Sequence, residues 1–545
     1  MSTLRLMRMI SALVLTVGAL SVSIAAAPVA SAATVISVAA GFSHTCALTS
    51  ANGVKCWGSN TYGELGNGTT TDSYIPVNVS GLTSGVAAVS SGGHESCALT
   101  TSGGVMCWGY NAGGKLGNET TTDSAVPVPV TGLSSSVSAV SVGQDHVCAL
   151  LADARIKCWG SNSRGQLGNG TTISSSTPIL VPGLAGILGV SSGYVHTCAL
   201  TDLGGVKCWG YNAYGQVGNG SIDPAGVLQP TDVVGLTGAV AIFAGGYHSC
   251  ALTTGGGATC WGQDQYGELG DGSNVNSSVP VAVSGLSTGV AVLSGGAYHT
   301  CAVTTSQAAM CWGANNTGNL GDGTTTNSSV PLVVSGFSSG VASISAGRLH
   351  SCSVSLTGRT QCWGWNLYGQ VGNGTTSGYV LAPVDVSWFR AGFTASCSGL
   401  VCDFTDTSSD PGGEIVTRSW NFGDGTTVSG ATASHGYAAG GSYTVTLTAS
   451  DGAFGTSTAS QTLVLTPWNL KVSGSRVRGV NIATLTWSTS ASSATSIDVY
   501  RNGSRVATTQ NTSSYSESVI KRGTFTYYVC PTGSTRCSNT ASVTF

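Results

Sequence analysis

From residue 34 to about 388, apolar positions recur in short alternating runs and never sustain the three-and-four spacing of a helix. The runs come in groups of four. In the first group they are V-x-x-V-S-type VISVAA from Val35, HTCAL from His44, VKCWG from Val54 and PVNV from Pro76, separated by Gly, Asn, Asp and Thr. The group then repeats, with CWG at Cys56, Cys107, Cys158, Cys208, Cys260, Cys311 and Cys362, each 50 to 52 residues after the last. A period near fifty made of short strands and Gly-rich turns predicts a propeller, in which each unit is one four-stranded sheet that buries its faces only against its neighbours. Seven units predict seven blades.

The alternation also predicts a register. Folding the second and third strands of the first unit about Ala51 sets Leu48 against Val54 on one face and Ala47 against Lys55 on the other, and brings Cys46 opposite Cys56. The same register pairs Cys97 with Cys107, Cys148 with Cys158, Cys198 with Cys208, Cys250 with Cys260, Cys301 with Cys311 and Cys352 with Cys362. Structural zinc sites take cysteines two to four residues apart on one turn, whereas facing cross-strand cysteines are within reach of an S–S bond. Disulfide staples are therefore expected, and no metal site.

A histidine stands two residues before the first cysteine at His44, His146, His196, His248, His299 and His350; the second unit has Glu95 there, with His94 out of register. A repeated buried hydrogen bond is expected of these imidazoles. Trp57, Trp108, Trp159, Trp209, Trp261, Trp312 and Trp363 are expected to pack between blades. Asn67, Asn169 and Asn373 precede Gly-Thr as glycosylation acceptors do, but Asp271 and Asp322 fill the same position before Gly. Turn formation is what Asn and Asp share there.

Charge and cysteine count place the chain. Only 8% of residues are charged, the net charge is −3 and Gly numbers 79 of 545, so neither a nucleic-acid partner nor an acidic tail is indicated. Eighteen cysteines suit an oxidising compartment. Arg5 and Arg8 precede an apolar run from Met9 to Ala27, and Ala30-Ser31-Ala32 has the small residues of a cleavage site, so residues 1–32 read as a signal peptide and Ala33 as the start of the mature chain. A retained membrane anchor is the alternative. With the signal removed the protein is expected to be extracellular, monomeric and without membrane insertion.

The combination G-x-x-H-[TS]-C-A-L, CWG-x-N-x-x-GQLGNGTT and P-V-x-V resembles the regulator of chromosome condensation repeat, whose family fold is a seven-bladed propeller. The resemblance covers about 355 residues and assigns the propeller to 33–388. That family includes a nuclear exchange factor for the Ran GTPase and a secreted bacterial inhibitor of β-lactamase; the paired cysteines depart from the nuclear member. It implies binding of proteins through loop faces. Because blade strands alternate direction, the first-to-second and third-to-fourth connections emerge together. Their variable positions are Phe42, Asp145, Tyr194, Tyr247, Tyr298 and Arg348 before the histidine, and Tyr62, Tyr110, Arg164, Tyr211, Tyr214, Tyr266, Trp365 and Tyr368 after CWG. A loop face rich in Tyr, Trp and Arg is expected to bind a partner.

Residues 389–466, with DFTDTSSDPGG at Asp403, SWNFGDGTTVSG and HGYAAGGSYTVTLTASDG, resemble a polycystic kidney disease (PKD) domain, an immunoglobulin-like sandwich with Trp420 and Phe422 in its core and Cys397 and Cys402 paired. Some members of that family bind calcium, for which Asp403, Asp406 and Asp424 form only a loose set; no other cofactor is expected. Residues 467–545 look like a fibronectin type III sandwich, with Trp487, Tyr500, a tyrosine corner at Tyr527 and a pair at Cys530 and Cys537. No H-E-x-x-H or phosphate loop is present, and no catalytic residue is assigned. The expectation is an all-β, non-catalytic binding protein that recognises an extracellular protein or a cell-surface or matrix polymer. A secreted hydrolase or an enzyme inhibitor is the alternative, and carboxylates converging in a central pocket would favour it.

Overall fold

A computed structural model describes residues 34–389, 391–398, 400–408, 415–450, 456–465, 470–487, 495–533 and 537–545. The signal-peptide expectation at 1–32 lies outside the described residues. Among those described there are strands and turns but no helix, and therefore none long and apolar enough to cross a membrane.

The first repeat folds as an antiparallel meander of β1 (Val35–Ala40), β2 (His44–Thr49), β3 (Val54–Gly58) and β4 (Ser73–Asn78). Six more four-stranded sheets of the same order follow at 86–129, 137–180, 187–232, 239–282, 290–333 and 341–385. The register of the central hairpin is the one the alternation predicts, with Cys46 opposite Cys56, Ala47 opposite Lys55 and Leu48 opposite Val54. Seven disulfides join cysteines ten residues apart within the blades, and Cys397–Cys402 and Cys530–Cys537 are also bonded. In a chain-entropy picture each blade staple is worth slightly under about 3 kcal/mol.

Each blade is one contiguous repeat, so the ring closes by side-to-side bonding and not by a shared strand. The innermost closure is a belt of backbone bonds: Phe42 N–H donates to the Gly92 carbonyl at 2.8 Å, Gly246 to Gly296 at 2.9 Å, Ala297 to Gly347 at 3.1 Å, and Arg348 to Gly41 at 3.1 Å, which ties the seventh blade to the first. The belt leaves no room for side chains. A Cβ on Gly193 would stand 2.4 Å from the Gly245 carbonyl oxygen and 2.5 Å from His196 Cε1.

The second closure is aromatic. Every CWG tryptophan is fully buried, and its indole N–H donates to a backbone carbonyl of the preceding blade, such as Trp108 to Glu64 and Trp261 to Gln216, with Trp57 reaching Gln370 across the seam at 2.9 Å. Glycine follows in the facing loop because the indole lies against it: Gly218 has φ +74° and a Cβ there would meet Trp261 Nε1 at 2.6 Å. Packing between blades is thus confirmed for the tryptophans.

The third closure is the histidine belt. His44 Nε2 meets Ser96 Oγ at 2.8 Å, and the step repeats as His146–Thr197, His196–Ser249, His248–Thr300, His299–Ser351 and His350–Thr45. Thr45, Thr197, Ser249, Thr300 and Ser351 each donate their own hydroxyl proton to a backbone carbonyl, at 2.8 to 3.0 Å, so the imidazole is the donor in those steps and carries its proton on Nε2. Burial pushes these imidazoles down, to about 4 for His44 and about 3 for His146, keeping them neutral.

Two sandwiches follow the propeller. One pairs the sheet of Phe393–Ser398, Val401–Asp406 and Thr432–Gly436 with that of Thr427–Ser429, Thr417–Asn421, Gly441–Ser450 and Thr456–Leu465, around Trp420, Phe404 and Phe422. Its Asp406 is paired with Arg418 and its Asp424 with His435. The other encloses Trp487, Ile497, Val499 and Tyr527 between sheets of three and four strands. The Tyr527 hydroxyl donates to the Glu517 carboxylate at 2.6 Å and not to a backbone carbonyl, so the expected tyrosine corner is replaced by a side-chain bond.

Candidate binding face of the propeller

Two repeated devices build the loops after CWG. The first is an asparagine. Asn60 Oδ1 accepts from Leu65 N–H at 2.9 Å, while its Nδ2 donates to Thr69 O at 3.0 Å, Thr71 O at 2.9 Å and Asn67 Oδ1 at 3.4 Å. Asn111, Asn162, Asn212, Asn315 and Asn366 make the same Nδ2 bond to the residue seven positions on. Asn67, Asn169 and Asn373 also accept from the amide two residues later, which confirms them as turn formers. In the fifth blade Asp264 replaces this asparagine. Its Oδ1 still accepts from Leu269 N–H, but Oδ2 has taken the place of the amide donor and burial pushes the carboxyl up to about 6, with Asp271 adding repulsion.

The second device sets the rim. A Gln or Glu side chain accepts from the backbone N–H two residues before it: Glu64 from Tyr62, Gln166 from Arg164, Gln216 from Tyr214, Glu268 from Tyr266 and Gln370 from Tyr368, at 2.8 to 3.0 Å. Each leaves its other polar atom without a protein partner in four of these loops: Gln166 Nε2, Gln216 Nε2, Glu268 Oε1 and Gln370 Nε2. Burial pushes the Glu268 carboxyl up to about 7.

The rim residues form three groups. Arg164 lies over the Tyr211 ring at 5.2 Å, and Tyr211, Tyr214, Tyr247, Tyr298 and Tyr266 continue as a chain of rings with centroids 5.6 to 6.3 Å apart. This arc encloses a concavity of about 660 Å³, completed by Gln263, Gln265, Asn316, Thr317 and Asn319. Tyr62 and Tyr110 pack at 4.6 Å on the other side, around His94. Trp365 and Tyr368 meet edge to face at 5.4 Å.

Three expected face residues occupy a different ring. The positions before the histidine are of two kinds. Phe42, Tyr194 and Arg348 stand two before it and line the narrow axial channel with the glycine belt, whereas Asp145, Tyr247 and Tyr298 stand one before it and turn outward. Arg348 stacks over Phe42 at 3.7 Å, and the Tyr194 hydroxyl is buried, which raises its pKa. Tyr194 and Arg348 therefore plug the axis beneath the face.

Sequence reading passed over the charged group of the second blade. His94 Nδ1 lies 3.0 Å from the buried Glu64 carboxylate; burial opposes its ionisation, but this bond and the backbone amides hold Glu64 below the usual range. Glu95, also buried, is pushed up to about 7 by desolvation against the pull of Lys115, whose Nζ lies 3.5 Å from it and 3.4 Å from Asp145. The signal was present: Val147 replaces the hydroxyl that would have received a histidine at position 95, so both ends of one belt step change together. Among the described residues no three metal-ligating side chains come together.

The RCC1-like domain profile matches residues 86–402, more than half of the chain. The chain belongs to the RCC1-like domain family. RCC1 repeats are matched again at 35–64 and 54–99, and a PKD domain at 390–467. The propeller is 31% identical over 347 residues to the ultraviolet-B receptor UVR8 of Arabidopsis thaliana, covering 62% of this chain and 67% of that one. It is 33% identical over 350 residues to the human E3 ubiquitin-protein ligase HERC2, but spans only 6% of that protein. The crystal structure of Prp20p from Saccharomyces cerevisiae superposes with a TM-score of 0.54 at 24% identity, covering 58% of this chain and 82% of that one, and shares the fold.

Proposed function

We infer that this RCC1-like protein is a secreted, non-catalytic binding protein that grips an extracellular protein or a surface polymer with the Tyr- and Arg-rich face of its propeller. After removal of residues 1–32 the propeller would occupy 33–388, with the PKD domain at 389–466 and a fibronectin type III-like module at 467–545 as spacer or adhesion domains. Nine disulfides and a PKD domain are compatible with life outside the cell.

The observation that carries the reading is the ring of Tyr and Arg anchors held by backbone bonds on a stapled scaffold, since rigid aromatic anchors supply contact area at low entropic cost. The carboxylates near the rim support a non-catalytic role. Glu64 serves His94 and Tyr62 N–H, Glu95 serves Lys115 and His94 N–H, and Glu268 serves Tyr266 N–H. The test immobilises the chain and a variant with Tyr62, Tyr211, Tyr214, Tyr266 and Tyr368 changed to Ala, checked for retained circular dichroism. Both are challenged with conditioned medium and with cell-surface extract under cross-linking. A catch made by the native chain and lost by the variant is expected; identical catches overturn the reading.

A further inference from the structure

The concavity built by the third to seventh blades has a chemistry of its own. Five tyrosines line it, with most neighbouring rings inclined steeply, between 66° and 89°, so that both faces and edges are presented around the bowl. The polar groups between them are amides and hydroxyls, from Gln263, Gln265, Asn316, Thr317 and Asn319, and Arg164 is the only cation in the lining. Asn319 belongs to the lining but is itself buried; its Oδ1 accepts from Thr317, and its Nδ2 has no protein partner. A buried donor left open beside a pocket calls for an acceptor, such as an ordered water, at its wall.

Size and charge narrow the ligand. A bowl of about 660 Å³ is of small-ligand or oligomer-segment size, not the broad patch of a standard protein interface. Aromatic platforms also bind single-stranded nucleic acid, but such grooves carry rows of cations for the phosphates and this one has Arg164 alone. What remains is a molecule with apolar C–H faces to lie on tyrosine rings and a rim of uncharged hydroxyls to meet amides. That is a pyranose ring.

We propose that this bowl binds a neutral oligosaccharide, a segment of an extracellular glycan chain. Sugar rings lie on Tyr214, Tyr247 and Tyr298, and their hydroxyls bridge Gln265 and Asn316. The proposal rests on the reading of this face as a binding surface and assigns the ligand class of one sector of it.

The full-length protein is tested by titration calorimetry against hexasaccharides of β-1,4-glucan, chitin, β-mannan, α-1,4-glucan and β-1,4-galactan, with polygalacturonate as the acidic arm. Gln265 and Asn316 are exposed, so Gln265→Ala and Asn316→Ala leave the fold intact. Each is expected to weaken binding of the responding hexasaccharide about tenfold. Tyr214→Phe, which keeps the ring, is expected to stay within about threefold, and Leu203→Ala, at an exposed turn outside the bowl, to match the native protein. Silence toward every hexasaccharide, binding confined to polygalacturonate, or affinity untouched by Gln265→Ala and Asn316→Ala each overturns the proposal. A partner captured through the same face with no glycan bound would overturn it while leaving the binding-face reading intact.

Discussion

The fifth blade offers the sharpest test of how the loops are held. Six blades place an amide NH₂ where Asp264 places a carboxylate oxygen, so Asp264→Asn restores the repeat's own solution. In the native chain burial raises the carboxyl from 3.8 to about 6. A raised folded value means that protonation favours the folded state. The contribution of Asp264 to stability is therefore complete below about pH 4 and is lost as the pH climbs through about 6, with a ceiling near 3 kcal/mol at about 1.4 kcal/mol for each pH unit. The loop is close to solvent, which screens part of this, and the restored amide adds about 0.5–1.5 kcal/mol per hydrogen bond. Asp264→Asn should thus stabilise the propeller by roughly 1–3 kcal/mol at pH 8 and by up to about 2 kcal/mol less at pH 4.5. For roughly 350 residues that corresponds to about 1.5–4 °C in the melting temperature at pH 8. Scanning calorimetry of the full chain at the two pH values reads it. Asn315→Asp, made beside Asp322 in the sixth blade, should reproduce the cost at pH 8. A variant no more stable than the native chain at pH 8, or one equally stabilised at both pH values, would refute the argument.

Three further outcomes follow from the same contacts. Peptide mapping without reduction should return Cys46–Cys56 and its six counterparts as hairpin pairs, and Cys198→Ser with Cys208→Ser should cost roughly 3 kcal/mol in denaturant unfolding; linkage between blades would contradict the fold. Trp209→Phe removes the donor to the Gln166 carbonyl and should lower stability by about 1–3 kcal/mol; an unchanged midpoint would deny the indole its role. Gly193→Ala, whose Cβ would run into the Gly245 carbonyl, should cost at least about 2 kcal/mol or prevent soluble expression; native stability would mean that the belt yields.

Most of the fold was legible because it is periodic. The Cys46–Cys56 register, the strand order and the inward tryptophans follow from alternation and spacing alone, and repetition turns one weak signal into seven concordant ones. The face was legible only in part. Alignment on the histidine could say which residues precede it, but a one-residue offset separates Tyr194, plugging the axis, from Tyr247, facing out, because successive residues point to opposite sides of an extended chain. Of the bowl only the rim was legible, as Arg164, Tyr211, Tyr214, Tyr247, Tyr266 and Tyr298; that they enclose one hollow was not, since its lining comes from five blades and its open Asn319 amide depends on how Thr317 turns toward Oδ1.

The departures from periodicity are where the chemistry collects, and one of them can be tested as a coupled pair. The histidine belt fails only between the second and third blades, where Glu95 and Val147 replace the imidazole and its hydroxyl acceptor, and the buried Glu95 turns instead to Lys115. Were these two changes independent accidents, Glu95→His and Val147→Thr would add when combined. If they are the two ends of one interblade step, each alone leaves a buried polar group without its partner, and together they form the bond that His146 makes with Thr197 at 2.7 Å. The double-mutant cycle should then show a favourable coupling of about 1 kcal/mol, measured by denaturant unfolding at pH 7.5. Additivity within about 0.3 kcal/mol would mean that the belt is a row of separate contacts, and that the exchange of a hydrogen bond for an ion pair beside Tyr110 was not its consequence.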